Sequence, residues 1–208
     1  MIKAIFLIFE PGAAWDRIAQ SRRGLVYVFA TYLLPIILLT SAAEGWGLAH
    51  WGKWQPRFQM VKSFTDGTII TFETIQVLLL LAMVLGSALI LLKVSQTFHG
   101  RHTYLQSFTT IAYGLSPMFL AHFLDAAPNV SPWVSWGLGL AVSVWILYQG
   151  IPRVLQPDPT HAFGLYLSAI VVIILTSGVV RAMTGLYLLG NVDFHHSWLT
   201  HQFPGLFQ

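Results

Sequence analysis

Cysteine is absent from this 208-residue chain, and charge is scarce: Asp, Glu, Lys and Arg together supply 9% of it. The first absence excludes disulfides, thiolate metal sites and cysteine nucleophiles. The second excludes an ordinary soluble domain, where about a quarter of the residues are charged. A chain this poor in charge could not cover its own surface in water. Nucleophile elbows of the G-x-S-x-G type, P-loops and dinucleotide fingerprints are missing too. No catalytic residue is assigned, no cofactor is expected, and the chain reads as a non-enzyme. Asp158 stands alone in "PRVLQPDPTH".

What is present is apolar. Hydrophobic residues make up 55% of the chain, and the mean hydropathy is +0.65. The net charge of +3 is informative through its distribution across loops, and no nucleic-acid partner is expected from it. The N-terminal apolar stretch, Ala4 to Phe9, is ended by Glu10-Pro11. It is shorter than the roughly 7–15 residues of a signal-peptide core, so it reads as retained.

A helix needs about 20 apolar residues to cross the hydrocarbon core. Five stretches meet this, at 24–43, 72–92, 104–124, 133–151 and 163–189. Short connections make consecutive helices antiparallel neighbours. The expected architecture is an all-α integral membrane protein, one domain over 1–208, with a five-transmembrane-helix bundle.

Basic residues set the orientation. One set of flanks carries Lys3, Arg17, Arg22, Arg23, Lys93, Arg101 and Arg153, the other Lys53, Arg57 and Lys62, with Arg181 near a helix end. The richer side is cytoplasmic by the positive-inside rule. The N-terminus is then inside and the C-terminus outside, in the cell (inner) membrane. Trp46, Trp51, Trp54, Trp133, Trp136 and Trp198 fall on the outer side and Trp15 on the inner. The aromatic segment 44–68 is expected to lie along the outer surface.

Ahead of the first span, "EPGAAWDRIAQSRR" predicts a short interfacial amphipathic helix. Pro11 suits its first turn, and Trp15, Ile18 and Ala19 share a face.

The third span contains "AYGLSPMF". Pro117 has no N–H, so the Tyr113 carbonyl loses its helical donor. A proline is tolerated in a membrane where hydroxyls or neighbouring helices satisfy the freed group. Ser116 can bond the preceding turn, and Gly114 permits close helix approach. The helix is expected to kink over Gly114, Ser116 and Pro117, as a packing device or as a gating hinge. "TYLLPIILL" in the first span echoes this tyrosine-then-proline pattern. The two spans run in the same direction and their spacings differ by one, which argues against an inverted repeat.

Three segments together resemble the Yip family, membrane proteins named for interaction with Ypt/Rab GTPases. These are "FEPGAAWDRIAQ" (9–20), "KVSQTFHGRHTYLQSFTTIAYGLSPMFL" (93–120) and the five-span layout. The resemblance implies a five-helix bundle with a cytoplasmic N-terminus. In eukaryotic members it implies vesicle trafficking through GTPase and partner-protein binding. Those members carry a long polar N-terminal region, whereas about two dozen residues precede the first span here. The chain therefore resembles the compact prokaryotic form, and GTPase binding is not expected of it.

Charges inside a membrane are functional candidates by default. Glu73, His122, Asp125 and Arg181 are all expected near the outer leaflet and can converge into one polar cluster. Such a cluster is either an ion-paired anchor of helix register or a proton or cation site. Arg181 lies far enough along its span to snorkel. "HGRH" supplies His99 and His102, and "DFHHSWLTHQF" supplies Asp193, His195, His196 and His201. Neither spacing is a recognised ligand pattern, so no metal site is assigned. The functional expectation is a non-catalytic adaptor or accessory subunit that binds membrane lipids and other integral membrane proteins. The alternative is a small transporter or permease for ions or lipid-like substrates. A hydrated polar cavity favours the second, a sealed core with an exposed apolar flank the first.

Overall fold

The computed structural model describes residues 2–21, 23–97 and 102–189. Four helices in it are long and apolar enough to cross a membrane: Leu25–Trp51, Asp66–Thr97, Pro132–Val154 and Ala162–Leu188. The chain is a helical membrane protein. Arg22, His99, Arg101 and the tail histidines His195, His196 and His201, with Asp193, lie outside the described residues.

Two short helices come first, α1 (Ile2–Phe9) and α2 (Pro11–Gln20). Pro11 opens α2, where its missing N–H costs nothing. The buried face of α2 is Pro11, Ala14, Trp15 and Ile18. Ala19, expected on that face, is exposed. Trp15 does not lie out along a surface. Its indole is fully buried, and Nε1 donates to the Ile146 carbonyl at 3.1 Å. The ring fills the space over Gly150, where any Cβ would collide with it.

The first long helix contains α3 (Leu25–Val28), a π turn over Phe29–Leu33, and α4 (Leu34–Trp51). Pro35 explains the widened turn: it offers no N–H to the carbonyl of Thr31, and the ladder loosens ahead of it. The expected span end at residue 43 is eight residues short, because the helix continues to Trp51 and buries Glu44, Gly47 and Leu48. Segment 44–68 is therefore no single surface loop. After α4 it forms a hairpin of β1 (Lys53–Gln55) and β2 (Met60–Lys62), antiparallel with Trp54 opposite Val61.

The hairpin closes one end of the bundle. Trp54 N–H donates to the Pro128 carbonyl at 3.1 Å, and the Gln55 amide donates to the Leu188 carbonyl at 3.1 Å. The second long helix is α5 (Asp66–Thr97).

The third expected span is broken into α6 (Tyr104–Gly114), α7 (Ser116–Ala121) and a 3-10 turn over His122–Ala126. Thr103 and Gln106 form a reciprocal capping box at its start. The break falls at Leu115, with φ −86° and ψ 2°. Ser116 Oγ donates to the Tyr113 carbonyl at 2.6 Å, the acceptor that Pro117 leaves without a helical donor. Gly114 faces Leu147, whose side chain occupies the volume a Cβ would need. Ser107, Phe108 and every residue from Thr110 to Phe119 are buried, so this broken segment is the bundle's centre.

Helices α8 (Pro132–Val154) and α9 (Ala162–Leu188) complete it. The main apolar core joins Leu33, Ile36 and Ile37 to Val84, Ile111, Phe119, Ile146 and Ile173.

Candidate functional site

The hairpin end of the bundle concentrates buried polar groups. Asp125 and Arg181 form an ion pair at 2.6 Å, with side chains 0% and 2% exposed. Their positions follow from local structure: the closing 3-10 turn of the third segment carries Asp125, and α9 delivers Arg181 from its inner face. The guanidinium also donates from Nε to the Pro132 carbonyl at 2.7 Å and from Nη2 to Ser135 Oγ. Ser135 Oγ in turn donates to Asp125 Oδ1 at 2.6 Å. Arg181 is thus enclosed, and the expected snorkelling does not occur.

Lys53 reaches the same place from β1. It is 1% exposed, and Nζ donates to the carbonyls of Asp125 at 2.7 Å and Ala127 at 3.0 Å. Burial pushes this ammonium below its usual range, against the opposing pull of Asp125 and Glu44. Glu44 is 0% exposed and accepts from the Gln76 amide. Glu73 accepts from Ser41 Oγ at 2.5 Å. His122 Nδ1 lies 2.9 Å from the Met118 carbonyl.

Of the four residues singled out in the sequence, Asp125 and Arg181 touch. His122 lines the same cavity as Arg181. Glu73 instead bonds Ser41 across α4 and α5. Sequence reasoning misses Lys53, Glu44, Gln76 and Ser135. A signal for two of them existed: Ser41 and Glu44, like Glu73 and Gln76, are three residues apart and share a helix face.

The Asp125–Arg181 pair is enclosed. Gln76, His122, Arg181 and Thr184 border a cavity of about 10 Å³, room for about one water. Among the described residues, no group of three His, Cys, Asp or Glu is placed to hold a metal. His102 is 8% exposed with neither ring nitrogen hydrogen-bonded, and burial lowers its pKa.

A second feature is open. Between α5 and α9 runs a groove of about 610 Å³. Thr68, Thr71, Phe72 and Ile75 of α5 line it, with Met183 and Tyr187 of α9. Phe72 and Tyr187 stack at 5.4 Å and 16°, forming part of its floor. No lining residue carries a charge.

Neither the curated proteins nor the solved structures give a match to this chain. The family model of the Yip1 domain matches residues 5–180, a range that takes in α2, the broken central segment and all but the last turns of α9. The chain belongs to the Yip1-domain family.

Proposed function

We propose that this protein is a non-catalytic membrane adaptor or accessory subunit that receives an apolar helix of another integral membrane protein in the α5–α9 groove. The carrying observation is a contrast: Asp125, Arg181 and Lys53 are each at most 2% exposed, whereas the α5–α9 groove is open and lined by no charged residue. A groove of this volume is within the range of binding sites. Its lining favours a helix. Gly67 and Thr71 stand four residues apart, Thr184 faces them, and Gly67 has open space where a Cβ would point. Small and hydroxyl residues at that spacing are what membrane helices use for close approach.

In this reading the broken segment 104–126 is the fifth span. As helix it extends about 35 Å at 1.5 Å per residue, more than the roughly 30 Å hydrocarbon core. The positive-inside rule supports the hairpin outside and α2 at the cytoplasmic interface, with Arg17, Arg23, Lys93 and Arg153 on the cytoplasmic side. Transport is the competing reading. It requires a hydrated path for a substrate, and the charged cluster borders space for about one water.

A photo-crosslinker at Ile75 tests the proposal in native membranes. A discrete protein adduct is expected, identified by mass, with Thr71→Trp reducing it about tenfold, the effect of about 1.4 kcal/mol. Lipid adducts alone, together with substrate flux in vesicles containing only this chain, overturn it.

A further inference from the structure

The α4–α5 contact brings together two carboxyl groups, and neither is ion-paired among the described residues. Glu44 and Glu73 sit on facing helices, and Gly45 fixes their level: its Cβ position lies 3.3 Å from Glu73 Cγ. Their hydrogen bonds cross. Ser41 donates to Glu73 Oε2, and Gln76, one turn beyond Glu73, donates to Glu44 Oε2. This leaves Glu44 Oε1, Glu73 Oε1 and Gln76 Oε1 buried with no hydrogen-bond partner. Gln76 itself is 1% exposed, so its free acceptor is shielded from solvent.

The neighbouring cations make their hydrogen bonds elsewhere, and Nη1 of Arg181, a residue that shares a cavity with Gln76, has no hydrogen-bond partner. Arg181 of α9 pairs with Asp125 of the 3-10 turn, and Lys53 of β1 is held by two backbone carbonyls. His122, also of the 3-10 turn, is held at the Met118 carbonyl. Neither Glu44 nor Glu73 forms an ion pair among the described residues. Two carboxylates on facing helices, Glu44 buried and Glu73 half-buried, repel, and each has one hydrogen-bond donor and one bare buried oxygen. The unsatisfied atoms of Glu44, Glu73 and Gln76 are oxygens, which suit a hard monocation.

We propose that Glu44, Glu73 and Gln76 form a buried monocation site between α4 and α5, occupied by a proton or by a sodium ion. Its occupant neutralises one carboxylate; a sodium ion can meet all three free oxygens, whereas a proton bonds one and donates to one other. The site ties α4 to the helix that forms one wall of the groove, and it stands independently of what the groove binds.

Thermal unfolding of the purified full chain in detergent distinguishes the sources. For sodium, replacing choline chloride by sodium chloride raises Tm saturably at fixed pH, as a ligand of the folded state does. For a proton, sodium has no effect and Tm falls from mildly acidic to mildly alkaline buffer. The sign follows because the folded state then holds a proton that the unfolded chain has released. Infrared spectra in this arm show a carboxylic-acid carbonyl band at neutral pH, lost in Glu44→Gln or Glu73→Gln. Either dependence is expected to flatten in the Glu44→Gln/Glu73→Gln double variant. That variant retains His102, His122 and Lys53, so a sodium response or an alkaline fall in Tm that it keeps does not come from the two acids and overturns the proposal. If it does not fold, the wild type decides: no sodium response and no acid carbonyl band overturn the proposal equally.

Discussion

The ring of Tyr32 lies 4.0 Å from that of Tyr113, inclined at 34°, and the Tyr32 hydroxyl is hydrogen-bonded to Ser116. These are the tyrosines that precede Pro35 and Pro117. The two irregular points of the chain, the π turn at 29–33 and the break at Leu115, are therefore packed on one another. Trp15 adds an edge-on contact to Tyr113 at 6.5 Å, which links α2 to the same place. Irregular helix geometry survives in an apolar bundle where partners satisfy it, and each irregularity here supplies part of the other's support.

Tyr32→Phe isolates the hydroxyl. The ring stack is kept, and Ser116 still donates to the Tyr113 carbonyl, so no buried acceptor is orphaned. A loss of about 1 kcal/mol is expected, the net value of one hydrogen bond, read by denaturant unfolding in micelles. Tyr32→Ala removes the stack as well and is expected to cost about 3–5 kcal/mol, as loss of a large aromatic does.

Removing Arg181 alone leaves Asp125 charged and enclosed. Arg181→Leu is expected to destabilise by about 3–5 kcal/mol, the range for breaking one side of a buried pair. Arg181→Leu combined with Asp125→Asn should lose less than Arg181→Leu by itself. If Arg181→Leu unfolds like the wild type, the pair does not anchor α9 to the 3-10 turn.

How much of this is legible in the sequence differs by feature. The long apolar runs mark all four long helices, and Pro117 marks the central break. The end of the first span is lost because Gly45, Gly47 and Glu44 lower its hydropathy while remaining helical. Glu44 falls outside the expected span for the same reason. The hairpin is two three-residue strands, too short to show a reliable alternation of polar and apolar positions. Long-range meetings, such as Lys53 with the Asp125 and Ala127 carbonyls, depend on tertiary packing that no local pattern encodes.

The lack of cysteine makes topology directly measurable. Single cysteines at Ser21 and Arg57 are expected to label from opposite faces of sealed vesicles, since one lies at the basic N-terminal flank and the other in the hairpin turn. A cysteine at Gln208 is expected to label with Arg57→Cys. Labelling of the Ser21 and Arg57 positions from one face would remove the proposed orientation.

Lys53 predicts an alkaline effect. Its folded-state pKa is below the ordinary 10.5, so toward that pH the unfolded chain binds the proton more tightly than the folded one. The Lys53 contribution to stability therefore rises with pH between the folded value and 10.5. Unfolding curves of Lys53→Met are expected to lack this rise relative to wild type. Equal slopes for the two proteins would show that Lys53 titrates normally.

The last prediction returns to Pro117. Straightening this helix is opposed by its surroundings: Met118 and Phe119 are buried, and the Cβ position of Gly139 on α8 lies 2.6 Å from Met118 Cα. The expected effect of Pro117→Ala is thus local, a new N–H directed at the Tyr113 carbonyl with the bundle unchanged. Ser116 Oγ already donates to that carbonyl, so the two donors are redundant in the variant and not in the wild type. Ser116→Ala in the wild type removes the hydroxyl donor to this carbonyl and is expected to cost about 1–3 kcal/mol. In the Pro117→Ala background it should cost about 1 kcal/mol less, because the new backbone N–H takes over. The double-mutant cycle reads this coupling apart from the loss of the Tyr32 contact, which is common to both backgrounds. A coupling of zero would mean that Ser116 does not replace the donor Pro117 removes, and that the break at Leu115 is held by Gly114 and Leu147 packing alone.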